Sequence, residues 1–145
     1  MNVIDKRFRL ALAAITPFVL ACAGSPITTK RIEGAIAPTF ANLVTAQVSS
    51  LRLPPVTASE LHVIANCRRP MAGANTGAGE WVCALDWHGP NRQTFRDAYD
   101  LVVNTDGCYT ATVATESLGG PTLKTSDGRE VRNLLYTIEG CFDTT

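Results

Sequence analysis

Between residues 31 and 51 the apolar residues Ile32, Ile36, Phe40, Leu43, Val44, Val48 and Leu51 recur at steps of three and four, with Gln47 as the one polar member of the stripe. That spacing predicts an amphipathic helix with one face turned to a core. Pro38 lies inside it, so the helix either kinks there or starts near Ala37 with Pro38 in its first turn. Pro54-Pro55 ends it. Thr57-Ala58-Ser59-Glu60 has capping-box spacing, and Leu61, Ile64 and Ala65 then predict a second, shorter helix ending near Cys67. Beyond residue 80 the period falls to two. Strands are expected at Glu80–Trp87, Ala98–Asn104, Cys108–Thr115, Pro121–Lys124 and Glu130–Gly140, with hairpin-type turns at Asp106-Gly107 and Asp127-Gly128. The polar connection from His88 to Asp97 is expected to loop out. Helices first and strands after predict an α+β domain. One long and one short N-terminal helix should pack on one face of a four- to five-stranded antiparallel sheet.

The start of the chain follows a different pattern. Lys6, Arg7 and Arg9 precede an eleven-residue stretch, Leu10 to Leu20, that is interrupted only by Thr16 and Pro17. A basic head before a short apolar run is the pattern of an export signal, and the run is too short for an ordinary spanning helix. Val19-Leu20-Ala21-Cys22 resembles the lipobox of bacterial lipoproteins, in which the cysteine takes the lipid; Leu20 stands where a smaller or branched residue is usual. Ala21-Cys22-Ala23 also fits an ordinary cleavage site ending at Ala23. The resulting division is a signal peptide over 1–21, a polar tether over 22–30 and one domain over 31–145. The resemblance implies acyl chains on Cys22, including palmitate, that hold the protein on the extracytoplasmic face of the cell membrane. Two or more chains hold firmly where one binds only marginally.

Charge agrees with a lipid anchor rather than a polybasic one. Thirteen Lys and Arg balance thirteen Asp and Glu; without residues 1–21 the balance is ten against twelve, a net charge of −2. Nucleic acid is not an expected partner, because phosphate binding needs clustered cations. An apolar fraction of 46% with 18% charged residues excludes a disordered chain.

With Cys22 set aside, Cys67, Cys83, Cys108 and Cys141 form an even set in an exported domain. Three pairings are open to four cysteines, and side-chain parity favours one. Trp81, Cys83, Leu85 and Trp87 share the more apolar face of their strand, so Cys83 points inward. Tyr109, Ala111 and Val113 leave Cys108 on the outer face, and Leu134, Tyr136 and Ile138 do the same for Cys141. Two outward cysteines can meet across a sheet, whereas Cys83 needs a partner in the covering layer, where the second helix would place Cys67. The expected bonds are therefore Cys67–Cys83 and Cys108–Cys141. No CxxC occurs, and His62 and His88 lie at no ligand spacing from a cysteine, so neither a metal site nor a cofactor is expected.

Candidate chemistry is sparse. No G-x-S-x-G, Ser-x-x-Lys, H-E-x-x-H or phosphate-binding glycine loop occurs. His88 lies near Asp86 and Asp97, which would suit a base–carboxylate pair in a small hydrolase, although a solvated hairpin end explains the same residues. His62 reads as a surface or capping histidine, and Trp81 and Trp87 read as packing residues. Arg92, Arg96 and Tyr99 form a candidate binding surface, since Arg and Tyr are enriched at interfaces.

Asp106-Gly107-Cys108-Tyr109-Thr110-Ala111 and Ile138-Glu139-Gly140-Cys141-Phe142-Asp143, with Phe40-Ala41-Asn42-Leu43 and Gly79-Glu80-Trp81-Val82-Cys83, resemble small secreted lipoproteins of actinobacteria. The resemblance covers about residues 31 to 143; Asn133-Leu134 departs from it, where the group carries a proline after the asparagine. It implies location and disulfides but no activity. The expected function is non-enzymatic: a lipid-anchored module that binds a protein or envelope component. An inhibitor of an extracellular enzyme and the His88 hydrolase are the other readings.

Overall fold

The computed structural model describes residues 26–73 and 75–145. The expected signal peptide, the Cys22 expected to carry lipid and the first part of the expected tether lie outside the described residues. Helix α1 spans Thr29–Ser50, and Thr28, in an extended conformation, caps it by accepting a hydrogen bond from the Arg31 N–H. Its buried face is Ile32, Ile36, Phe40, Ala41, Val44 and Gln47. The steps of four from Ile32 to Val44 put those side chains in one row. Pro38 lies within the helix rather than at its start. Its ring is on the solvent side, as is Gly34 one turn back, so water can take the carbonyl that Pro38 leaves without a donor. The domain also begins earlier than residue 31. Ile27 is buried in the core, and its carbonyl accepts from Gly77 N at 2.8 Å, so this end of the expected tether is part of the packed unit.

No second α-helix follows among the described residues. Glu60 makes its half of a capping box, its Oε2 accepting from Thr57 N at 2.8 Å, but the Thr57 hydroxyl donates to the same carboxylate at 2.7 Å and Glu60 N bonds the Thr57 carbonyl, so the contact closes only a turn. The chain then enters strand β1, Ile64–Arg68. Leu61, Val63, Ala65 and Cys67 have period two as well as containing the helical spacing, and seven residues are too few for a helix to hold without tertiary support. Pairing with the next strand decides the matter. Strands β2 (Gly79–His88), β3 (Thr94–Val103), β4 (Cys108–Val113) and β7 (Thr137–Cys141) complete a five-stranded sheet in the order β1-β2-β3-β4-β7, antiparallel throughout. Strands β5 (Thr122–Lys124) and β6 (Glu130–Arg132) form a separate hairpin. The connection expected over 88–97 is shorter than its polarity suggests. Ladder pairing runs to His88 opposite Thr94, leaving a turn closed by Gly89 N to Gln93 O at 2.8 Å.

The strand expected over Glu130–Gly140 is broken in two by Asn133. Its Nδ2 donates to the carbonyls of Leu118 and Gly120 at 2.7 and 2.8 Å, and its Oδ1 accepts from Leu135 N at 3.0 Å. A buried Asn that satisfies local backbone in this way competes with the ladder. The result turns Leu135 inward, where Leu134 was expected. Gln47, the polar member of the helical stripe, reaches the same turn: its Oε1 accepts from Leu134 N at 2.6 Å.

The core lies between α1 and the inner sheet face, where Trp81, Cys83, Leu85, Tyr99, Leu101, Ala111 and Ile138 are buried. Phe40 meets Tyr99 and Trp87 edge-on, with ring centroids 6.0 and 5.8 Å apart. Burying one such side chain stabilises the fold by roughly 1.5–3 kcal/mol. Cys67 is bonded to Cys83 and Cys108 to Cys141. Both bonds join residues directly opposite on neighbouring strands. Cys67 thus reaches Cys83 from the adjacent strand rather than from a covering helix. Their Cα atoms are 4.1 Å apart, the close spacing of a pair that exchanges no ladder hydrogen bonds, so the Cys67 N–H points off the sheet edge. Glu33 of α1 accepts it at 2.8 Å. That carboxylate covers part of an edge that would otherwise invite another strand. Among the described residues no helix is long and apolar enough to cross a membrane.

Candidate functional site

The end of the β2–β3 hairpin borders a cleft of about 1150 Å³. One wall is apolar: Pro55, Val56, Leu61 and Ile64 come from the segment that leads into β1, and Trp87 and Phe95 come from the hairpin. The Phe95 ring stacks on Trp87 at 4.8 Å and covers Gly89, leaving no room there for a Cβ. His62, His88, Asp86, Arg92 and Arg96 line the polar side. One backbone bond, His88 N to Leu61 O at 2.7 Å, fastens the two segments together.

Register explains which charges are spent. Asp86 stands opposite Arg96 on the outer sheet face, and the guanidinium donates to both carboxylate oxygens at 2.6 and 2.7 Å. The Arg96 hydrogen bonds hold the Asp86 carboxyl below the usual carboxylate range, and Asp86 raises the guanidinium in turn. Glu60 is held below its ordinary value by the Thr57 backbone and hydroxyl. Asp97 has the opposite parity and is buried, accepting from Trp87 Nε1 at 2.8 Å and from Ser117 Oγ at 2.5 Å. Among the described residues the His88 imidazole bonds to neither aspartate. Arg92, at the hairpin turn with φ +59°, has no side-chain partner among the described residues.

Of the three residues expected to form a binding surface, Arg92 and Arg96 line the cleft and Tyr99 does not. Tyr99 lies on the inner face, wholly buried, and donates to Leu135 O at 2.6 Å. Position 99 shares its parity with Cys83 and Leu101, which face the helix; Arg96, three residues earlier, faces out. Burial also pushes the Tyr99 phenol well above its ordinary value. His62, read from the sequence as a surface or capping histidine, is set by the structure beside His88 with ring centroids 5.4 Å apart. Only the second periodicity of residues 61–67, which makes them a strand approach rather than a helix, pointed to that neighbourhood. Arg69 lies 5.9 Å from the Trp81 ring centroid and donates to Thr76 O at 2.9 Å, which ties down the glycine-rich connection before β2. No family model, curated protein or solved structure matches the chain.

Proposed function

We propose that this is a lipid-anchored extracytoplasmic module that binds a protein or envelope component through the cleft at the β2–β3 hairpin end, without catalysis. The observation that carries the reading is the composition of that cleft. It joins an apolar wall to Arg92, a cation with no side-chain partner among the described residues, while the two aspartates nearest His88 in sequence are already occupied by Arg96, Trp87 and Ser117. An apolar floor with a few oriented polar groups is what a recognition site needs. The lipobox-like Val19-Leu20-Ala21-Cys22 supports the anchor, and the four paired cysteines suit an oxidising compartment. The likeness to small actinobacterial lipoproteins supports the same location.

A second reading, inhibition of an extracellular enzyme, is favoured by the hairpin turn itself. Asn91 and Arg92 both have positive φ, and Phe95 is held against Trp87, which together preset a protruding aromatic–arginine tip. Site-specific photo-crosslinking from position 94 in intact envelopes tests the site. A discrete adduct that Arg92→Ala weakens supports it, and no adduct, or one indifferent to Arg92→Ala, refutes it. If that adduct is an extracellular hydrolase, the inhibitor reading replaces the envelope one. Cys22→Ala should move the chain from the membrane to the soluble fraction; retention in the membrane refutes the lipid anchor.

A further inference from the structure

We propose that His62 and His88 form a two-nitrogen anchor for a divalent transition metal ion, Zn(II) or Cu(II), on the wall of the cleft. Their ring centroids are 5.4 Å apart with an interplanar angle of 58°. Two imidazoles on one tetrahedral ion, with bonds of about 2.0–2.1 Å, place their centroids roughly 5 Å apart, a separation these rings match. Neither ring makes a hydrogen bond to any described residue, which leaves the nitrogens available.

The backbone holds this arrangement at some cost. His62 has φ +44°, in the left-handed region that few non-glycine residues enter, although Asn, Asp and His do so more readily than the rest. It lies between the turn closed by Thr57 and Glu60 and the start of β1, and the His88 N to Leu61 O bond fixes it against the end of β2. A positive-φ residue that carries an unbonded imidazole beside a second one is a reason to look for a ligand.

Donor type narrows the ion. Imidazole nitrogens suit Zn(II), Cu(II) and Ni(II), whereas Ca(II) and Mg(II) take oxygen. The described cysteines are all in disulfides and supply no thiolate. Glu60 and Asp86 line the same cleft but accept from Thr57 and from Arg96, and among the described residues no three His, Cys, Asp or Glu side chains gather around one point. The ion would therefore keep open positions, filled by water or by a donor from whatever occupies the cleft. The site stands independently of the proposed partner, because the two rings are placed by this chain alone.

Titration calorimetry with ZnCl2 and with CuSO4, on the full chain without an affinity tag and in a Cys22→Ala background, tests it. Saturation at one equivalent is expected, with Cu(II) tighter than Zn(II). His62→Asn removes the imidazole while suiting the left-handed backbone. That variant and His88→Ala should each weaken binding by at least about tenfold. Should His88→Ala misfold, His62→Asn decides alone. Arg92→Ala should leave metal binding unchanged, so failure of the metal site and failure of the partner site are separately visible. Absence of saturable binding, or equal affinity in the wild type and His62→Asn, overturns the proposal.

Discussion

The two ends of the β2–β3 hairpin come from the same pair of ten-residue strands, yet only one is covered. At the root, Trp81, Cys83, Tyr99 and Leu101 lie under helix α1, each no more than 1% exposed. At the far end, Asp86, His88, Arg92 and Arg96 border a cleft, and Phe95 is 37% exposed. Ladder hydrogen bonding is continuous across both. What differs is the cover: α1 and the 133–136 turn close over the root, whereas at the far end Phe40 of α1 reaches Trp87, Ser117 reaches Asp97, and the rest borders the chain segment from Pro55 to Ile64 across the cleft. Buried core is therefore concentrated in one half of the hairpin and the proposed recognition surface in the other.

Substitutions that separate the two ends should differ widely. Trp81→Ala at the root is expected to lower stability by about 3–5 kcal/mol, read as a fall in the denaturant midpoint at unchanged slope. A loss below about 1 kcal/mol would mean that the core does not rest on this residue. Next come the disulfides. Their sequence separations are 16 and 33. Loop-closure entropy puts the first near 3 kcal/mol and the second slightly below about 4 kcal/mol. Replacing Cys108 and Cys141 together by Ala should then cost somewhat more than replacing Cys67 and Cys83, unless the cavity left by the buried pair reverses the order. Comparing the two double variants by urea unfolding measures which matters more.

A smaller loss is expected from Gly107→Ala in the β3–β4 turn. Its φ is +83°, and an added Cβ would lie 2.5 Å from the Phe142 carbonyl oxygen. The left-handed conformation alone costs roughly 1–2 kcal/mol for other residues. Asp106-Gly107 was legible as a turn from the sequence; the clash with the segment that follows β7 was not, because it joins segments far apart in the sequence.

Alkali should also strike the root. The Tyr99 phenol is raised in the folded state, so its contribution is fully present below about pH 10, the unfolded value. It is lost as pH rises beyond that toward the folded value. Tyr99→Phe should remove part of this alkaline sensitivity, measured by circular dichroism across a short titration; an unchanged profile would assign it elsewhere. The smallest effect belongs to the tip. Arg96→Ala breaks a bidentate pair, but the Arg96 side chain is 71% exposed, so the unfolding midpoint should barely move. The Asp86 carboxyl should then titrate higher, nearer its ordinary range, which carboxylate chemical shifts will report.

The alternation of β2 and β4 was readable residue by residue, because strand parity is a local property: Trp81, Cys83, Leu85, Tyr109 and Ala111 face inward as their spacing requires. The 61–67 segment was not, since Leu61, Ile64 and Ala65 fit a helix while Leu61, Val63, Ala65 and Cys67 fit a strand. Only the partner strand separates the two. The same misreading placed Cys67 in a covering helix, so its bond to Cys83 was expected on mistaken geometry. Tyr99 was mistaken for surface because its neighbours Arg92 and Arg96 are polar, while the pleat turns it to the opposite side.

The sequence by itself determined the α+β order of elements, the inward face of the central strands and the positions of the glycine turns, all of which depend on neighbours within a few residues. Tertiary structure alone decided that residues 64–68 join the sheet, that Asn133 divides the last strand, and that His62 stands beside His88. Each of these depends on a hydrogen bond or contact between distant segments, and short-range periodicity carries no information about which distant segment will arrive.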